Sequence, residues 1–166
     1  MANTHTIFNG THCAFWDVDA YNLCGICAGA DLDNGVFVTL GDIALKTTGG
    51  YEFAVTAATS GNGDYICGTP AQGYGIEAQV YDDPRYFYNE AGKPISVKRL
   101  VVGDCIELTA AGFTAAPADD DTNASLGAGG KLTSNKTTSA PYKILATNTI
   151  DVGGELVKSW ILMKMA

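Results

Sequence analysis

Apolar and polar positions alternate in short runs along most of this chain. His5–Phe8, Thr11–Phe15, Val36–Leu40, Tyr51–Thr56, Tyr65–Thr69 and Gly75–Tyr81 read as strands, as do Ile95–Val102, Asp104–Thr109, Pro141–Asn148 and Leu156–Met165. Turn residues separate them at the roughly 8–12-residue spacing of a sandwich or barrel. Asn9-Gly10 and Asn34-Gly35 predict type I′ hairpin turns, since both residues tolerate positive φ. Thr59–Asp64 is a further turn cluster. Gly103-Asp104 predicts another turn, with Asp104 and Glu107 as solvent-facing acids. No long amphipathic period of a helix is present. One short helix is expected near residues 84–91: Asp83 can cap it, Pro84 fits its first position, and Gly92 and Pro94 end it. The fold class expected is all-β, a single-domain antiparallel sandwich or small barrel over residues 1–166 with that one helical insertion. Residues 1–6 form a flexible N-terminal arm in this reading, and 117–141 a long surface loop anchored by Leu132.

Composition supports the pattern. The chain has 166 residues, 20 of them glycine, and only 17% are charged, below the usual share of about 25%. The balance of 10 basic against 18 acidic residues gives a net charge of −8, which repels nucleic acid phosphates. Residues 1–45 hold five Asp and no Lys or Arg, which argues against a basic signal-peptide start. No apolar run reaches the ~18 residues of a membrane-spanning helix. The expectation is therefore a protein with no nucleic acid partner and no membrane segment.

The positive charge is uneven. Arg85, Lys93, Lys98 and Arg99 are four of the ten basic residues, and they adjoin Tyr81, Tyr86, Phe87 and Tyr88. Aromatics and Arg are enriched at interface hot spots. Tyr81, Arg85, Tyr86, Phe87, Tyr88 and Arg99 are therefore the expected partner-binding residues, on a protruding segment where Arg85→Ala or Phe87→Ala weakens binding without unfolding. The alternative is that Tyr86–Tyr88 roof one end of the core.

Catalytic chemistry finds little material. His5 and His12 are the only histidines, so no Ser, Thr or Cys nucleophile has an evident base. Cys24 and Cys27 form a C-x-x-C and are weak metal candidates. A second C-x-x-C is missing, and adjacent His12 and Cys13 would face opposite ways on a strand. Asp31–Gly35 lacks the further ligands of a calcium loop, and Asp119–Asp121 reads as a solvated loop face. No catalytic residue, no cofactor and no bound metal are expected.

Several stretches resemble small capsid decoration or cement proteins of tailed bacteriophages. They are Val80-Tyr-Asp-Asp-Pro-Arg-Tyr-Phe-Tyr-Asn-Glu-Ala-Gly-Lys-Pro94, Arg99-Leu-Val-Val-Gly-Asp104 and Ser159-Trp-Ile-Leu-Met-Lys164, with weaker likeness at Ile7–Gly10 and Asp33–Val36. The Cys24–Cys27 region and the acidic 117–130 stretch depart from that pattern. The resemblance implies a non-enzymatic virion protein, made in the host cytoplasm and placed on the capsid surface. Its partners would be the major capsid protein and copies of itself on the shell. The competing expectation is a virion-displayed carbohydrate-binding or host-adhesion module, with Tyr74, Tyr81 and Asp82 offering rings and acceptors.

Overall fold

A computed structural model describes residues 5–45, 51–71, 82–136 and 139–166. Among them the chain forms eleven strands and only isolated 3-10 turns, so the all-β expectation holds. In chain order the strands are β1 (Phe8–His12), β2 (Asn22–Cys27), β3 (Val38–Leu45), β4 (Tyr51–Ala57), β5 (Tyr65–Cys67) and β6 (Pro94–Arg99). β7 (Cys105–Thr109), β8 (Asn123–Leu126), β9 (Leu132–Asn135), β10 (Tyr142–Val152) and β11 (Glu155–Lys164) follow.

The strands make two sheets packed together. A six-stranded sheet has the order β1-β7-β11-β10-β8-β9, and a five-stranded sheet the order β3-β4-β2-β6-β5. Every pairing is antiparallel except β2 with β4, which makes the smaller sheet mixed. Gly35 N–H donates to the Cys67 carbonyl, and Cys67 N–H donates to Val36. These bonds join the entry to β3 with β5, so the outer strands of the smaller sheet meet at one end.

Neighbouring residues of a strand face opposite ways, and β5 shows the consequence. Ile66 packs into a cluster with Phe37, Leu100, Leu108, Tyr142, Trp160 and Leu162, which lies between the sheets. Cys67 packs into a second cluster with Cys27, Leu32, Val36, Val55, Ile95 and Val97. The smaller sheet thus carries buried apolar residues on both faces.

Buried polar groups fasten one sheet to the other. Lys164, only 2% exposed, reaches Asp64 at 2.8 Å and donates to the carbonyls of Asn62 and Gly63. The Tyr142 hydroxyl donates to the same Gly63 carbonyl at 2.6 Å. Asp104 accepts the backbone N–H groups of Ala14 and Val101, both at 2.8 Å. It is buried and holds the crossing from β6 to β7, so it is not the solvent-facing acid expected. Glu107 is half-buried and accepts from Ser159 Oγ at 2.6 Å and from the Asn148 amide at 2.9 Å.

Four local expectations are corrected. Asn9-Gly10 is not a turn, because β1 runs straight through it and Asn9 pairs with Glu107. Glycine is needed there for space: a Cβ on Gly10 would lie 2.6 Å from the Phe15 ring. At Asn34-Gly35 the chain does turn, but only the glycine has positive φ, so the turn is not type I′.

The helix expected at 84–91 does not form. Asp83 does accept the Arg85 N–H, and Tyr86 N–H closes one turn onto Asp83. Asn89 then exchanges both backbone hydrogen bonds with Leu32, which pulls the chain into an extended path. Nor is 117–141 a loop throughout, because β8 and β9 pair as a hairpin on the edge of the larger sheet. Ala124 is as fully buried as Leu132, and Pro117 is buried too, so Leu132 is not the sole anchor.

Candidate partner-binding surface

The aromatic-basic segment was expected to protrude. It lies instead across the molecule, pinned by Asn89. The Asn89 amide donates to the Leu32 carbonyl and to Asn34 Oδ1. Phe87 is 8% exposed and is a core residue. Tyr88 is half-buried and stacks on His5 at 5.5 Å, and His5 is itself bonded to Asp33 at 2.7 Å. Tyr86 is half-buried beneath the Arg85 guanidinium.

Arg85 is committed inside the fold. Its Nε meets Asp83 Oδ2 at 2.9 Å, and its Nη1 meets Glu155 Oε2 at 3.0 Å. The guanidinium holds the Asp83 carboxyl below its ordinary range, and the carboxylate holds Arg85 above its own. Arg99 remains exposed, set over the Tyr21 ring at 5.4 Å. Tyr81 and Tyr74 lie outside the described residues, and Asp82 is exposed. The segment therefore brings Arg85, Tyr86, Phe87 and Tyr88 together, but most of that patch faces inward. A Phe87→Ala change would disturb the core, contrary to the expectation of binding loss alone.

The metal candidates separate. Cys24 and Cys27 lie on β2, one exposed and the other buried with its thiol on the Ala30 carbonyl at 2.9 Å. Their odd spacing on a strand puts them on opposite faces. Burial pushes the Cys13 and Cys67 thiols up to about 12, the reverse of what a nucleophile needs. Each acid of 119–121 is engaged: Asp119 with Lys158, Asp120 with Lys136, and Asp121 with Ser134. No group of three or more potential metal ligands occurs among the described residues.

The outer surface holds features that the motif reading missed. The β10–β11 hairpin is long, yet β7 pairs with β11 only over Ser159–Met163, and β8 pairs with β10 only at Tyr142 and Lys143. Among the described residues, 149–158 therefore form a two-stranded arm with no third strand beside it. Leu145 sits in a bulge between Ile144 and Ala146, where β10 leaves the core, and it is 45% exposed. Bulges bend and twist a strand at such points. Leu156, on the arm, is 73% exposed. The tip turns at Gly153-Gly154, both with positive φ, as a two-residue primed turn requires. That Gly-Gly pair between two strand-like runs was the available sequence signal. Trp16, 70% exposed on a 3-10 turn, is the other missed feature.

No family model, no curated protein and no solved structure matches this chain.

Proposed function

We propose that this protein is a non-catalytic decoration or cement protein of a tailed-phage capsid, bound to the outer surface of the major capsid protein shell. The likeness of residues 80–104 and 159–164 to such proteins is the observation that carries this reading. The physical properties agree with it. Two sheets locked by buried polar pairs give a rigid body, and the β10–β11 arm gives it an edge to lay on a neighbour.

The contact assigned to the aromatic-basic segment moves to this arm. Leu145 and Leu156 offer apolar anchors, and Arg99 remains as a basic accessory. Single contacts of this kind are weak, but a lattice repeats them, and binding to assembled shells alone favours the assembled state.

The test is co-sedimentation of the purified protein with empty shells of its major capsid protein. Saturable occupancy at a fixed ratio to capsid subunits is expected. A Leu156→Asp variant should fold normally and lose most of that occupancy. Absence of the wild-type protein from sedimented shells would overturn the proposal. Full occupancy by Leu156→Asp would overturn the place of the arm in it.

A further inference from the structure

A cleft of about 370 Å³ opens where β1 meets the loop after β5. That is within the roughly 300–1,000 Å³ of small-molecule sites. Phe8, Phe15 and Trp16 form its aromatic side, and Thr6, Asn34 and Thr69 its polar side.

Trp16 is an unusual wall for such a cleft. Its indole N–H is already satisfied, donating to the Gly10 carbonyl at 2.7 Å, and Phe15 lies against it at 5.5 Å. The ring is fixed in position while most of its surface stays in water. A large apolar ring held rigid and exposed is a platform with its ordering entropy already spent.

Thr6 supplies a second and independent pointer. It is 1% exposed and lines the cleft. Its methyl is turned toward Gly35 and Gly112, and its hydroxyl finds no hydrogen-bond partner among the described residues. Buried polar atoms left unpaired are rare in folded proteins and mark a place where something else can bond.

Charge narrows the ligand. The net −8 of the protein disfavours anions. The one cation lining the cleft among the described residues, Lys98, is spent on Asn22 at 2.8 Å, with burial lowering its affinity for a proton. Asn34 is engaged with the Thr69 backbone, and Thr69 Oγ1 accepts the Ser96 N–H, which leaves the Thr6 hydroxyl as the unpartnered polar atom. What fits is a neutral ring with one apolar face for the indole and a hydroxyl for Thr6. We infer that the Trp16 cleft binds a neutral pyranose sugar, as a unit of a glycan. This inference stands apart from capsid docking, since it calls on Trp16 and Thr6 rather than on Leu145 and Leu156 of the β10–β11 hairpin.

The experiment titrates the whole protein with cellohexaose, maltohexaose and chitohexaose by calorimetry, with chondroitin sulfate as the anionic comparison. Saturable binding of at least one neutral oligosaccharide is expected, with none to chondroitin sulfate. Trp16→Ala should weaken that binding about tenfold or more, as loss of a stacking ring does. Thr6→Val keeps the side-chain shape and should weaken it by a smaller factor. The near-ultraviolet signal of buried Trp160 against Phe113 checks that both variants are folded. No heat with any neutral oligosaccharide would overturn the inference. So would equal affinity in Trp16→Ala, or preference for chondroitin sulfate.

Discussion

The two halves of the β10–β11 hairpin share one ladder and live in different solvents. At the base, Tyr142, Trp160, Leu162 and Lys164 are all buried, between β7 on one side and β8 on the other. In the arm, from Thr149 to Lys158, exposed and half-buried positions alternate on both strands, and among the described residues no other strand adjoins. Backbone pairing is continuous, since Val152 still faces Glu155 at the tip. Strand formation therefore does not measure stability here. Burial does, and the bulge at Leu145 marks where burial stops. A stable core and a surface for partners are built from one element by changing what lies beside it.

The largest effect belongs to the base. Leu162 is fully buried, opposite Ile106 on β7 and Ile144 on β10. Leu162→Ala should destabilise the protein by about 2–5 kcal/mol, through lost transfer energy plus a residual cavity. Urea unfolding followed by far-ultraviolet dichroism measures it. Given total stabilities of about 5–15 kcal/mol, such a loss is a large share of the whole. A cost below about 1 kcal/mol would mean that the base collapses around the gap as readily as the arm would.

Much of this division is legible in the sequence. The base strand Ser159–Lys164 holds four consecutive large apolar residues, Trp160 to Met163, between two polar ones, a continuous apolar run of strand length. In the arm, β10 carries Thr149-Ile-Asp-Val152, which alternates polar with β-branched apolar residues, so its strand state can be read but its partner cannot. The failures have a common cause. Glycine after Asn was read as a turn at residue 10, where tertiary packing against Phe15 demands a missing Cβ. Asp83-Pro84 was read as a helix start, and it does begin one, until pairing of Asn89 with Leu32 overrides local propensity. Asp104 read as a solvent-facing acid because its partner, the Ala14 N–H, lies 90 residues away, and the pairing of Lys164 with Asp64 spans 100 residues. The cleft at Trp16 is assembled from six separated stretches, and no spacing in the sequence announces it.

A second effect separates the halves by pH. The core holds Cys13 and Cys67, each raised by burial from 9.0 to about 12, and Tyr142 at the hairpin base is raised by burial as well. Below pH 9 both thiols are protonated in folded and unfolded chains alike, and stability does not depend on them. Between pH 9 and 12 only the unfolded chain releases their protons, so stability falls as pH rises. One unit above 9 the loss is on the order of 1 kcal/mol per thiol. Urea midpoints at about pH 8 and pH 10 should show the drop, and Cys13→Ala should remove part of the slope. A slope unchanged in that variant would place the titration elsewhere.

The smallest effect on the whole fold should come from the strap on the arm. Arg85 joins Asp83 to Glu155, and a Cβ on Gly153 would lie 3.0 Å from its guanidinium, so the tip rests on the 82–91 segment at this one side chain. Salt bridges near the surface contribute little to global stability, because water competes for both charges. Arg85→Ala should leave the urea midpoint almost unchanged. Its consequence is local: with the tether gone, the arm keeps, among the described residues, its own pairing and the Lys158–Asp119 ion pair at its base, and isolated two-stranded hairpins are marginal in water. Amide exchange at the tip should quicken while protection of Trp160 and Leu162 stays as in the parent protein, because local opening need not involve the base. Equal acceleration at tip and base would show that the hairpin opens as one unit, and that the bulge at Leu145 is no boundary.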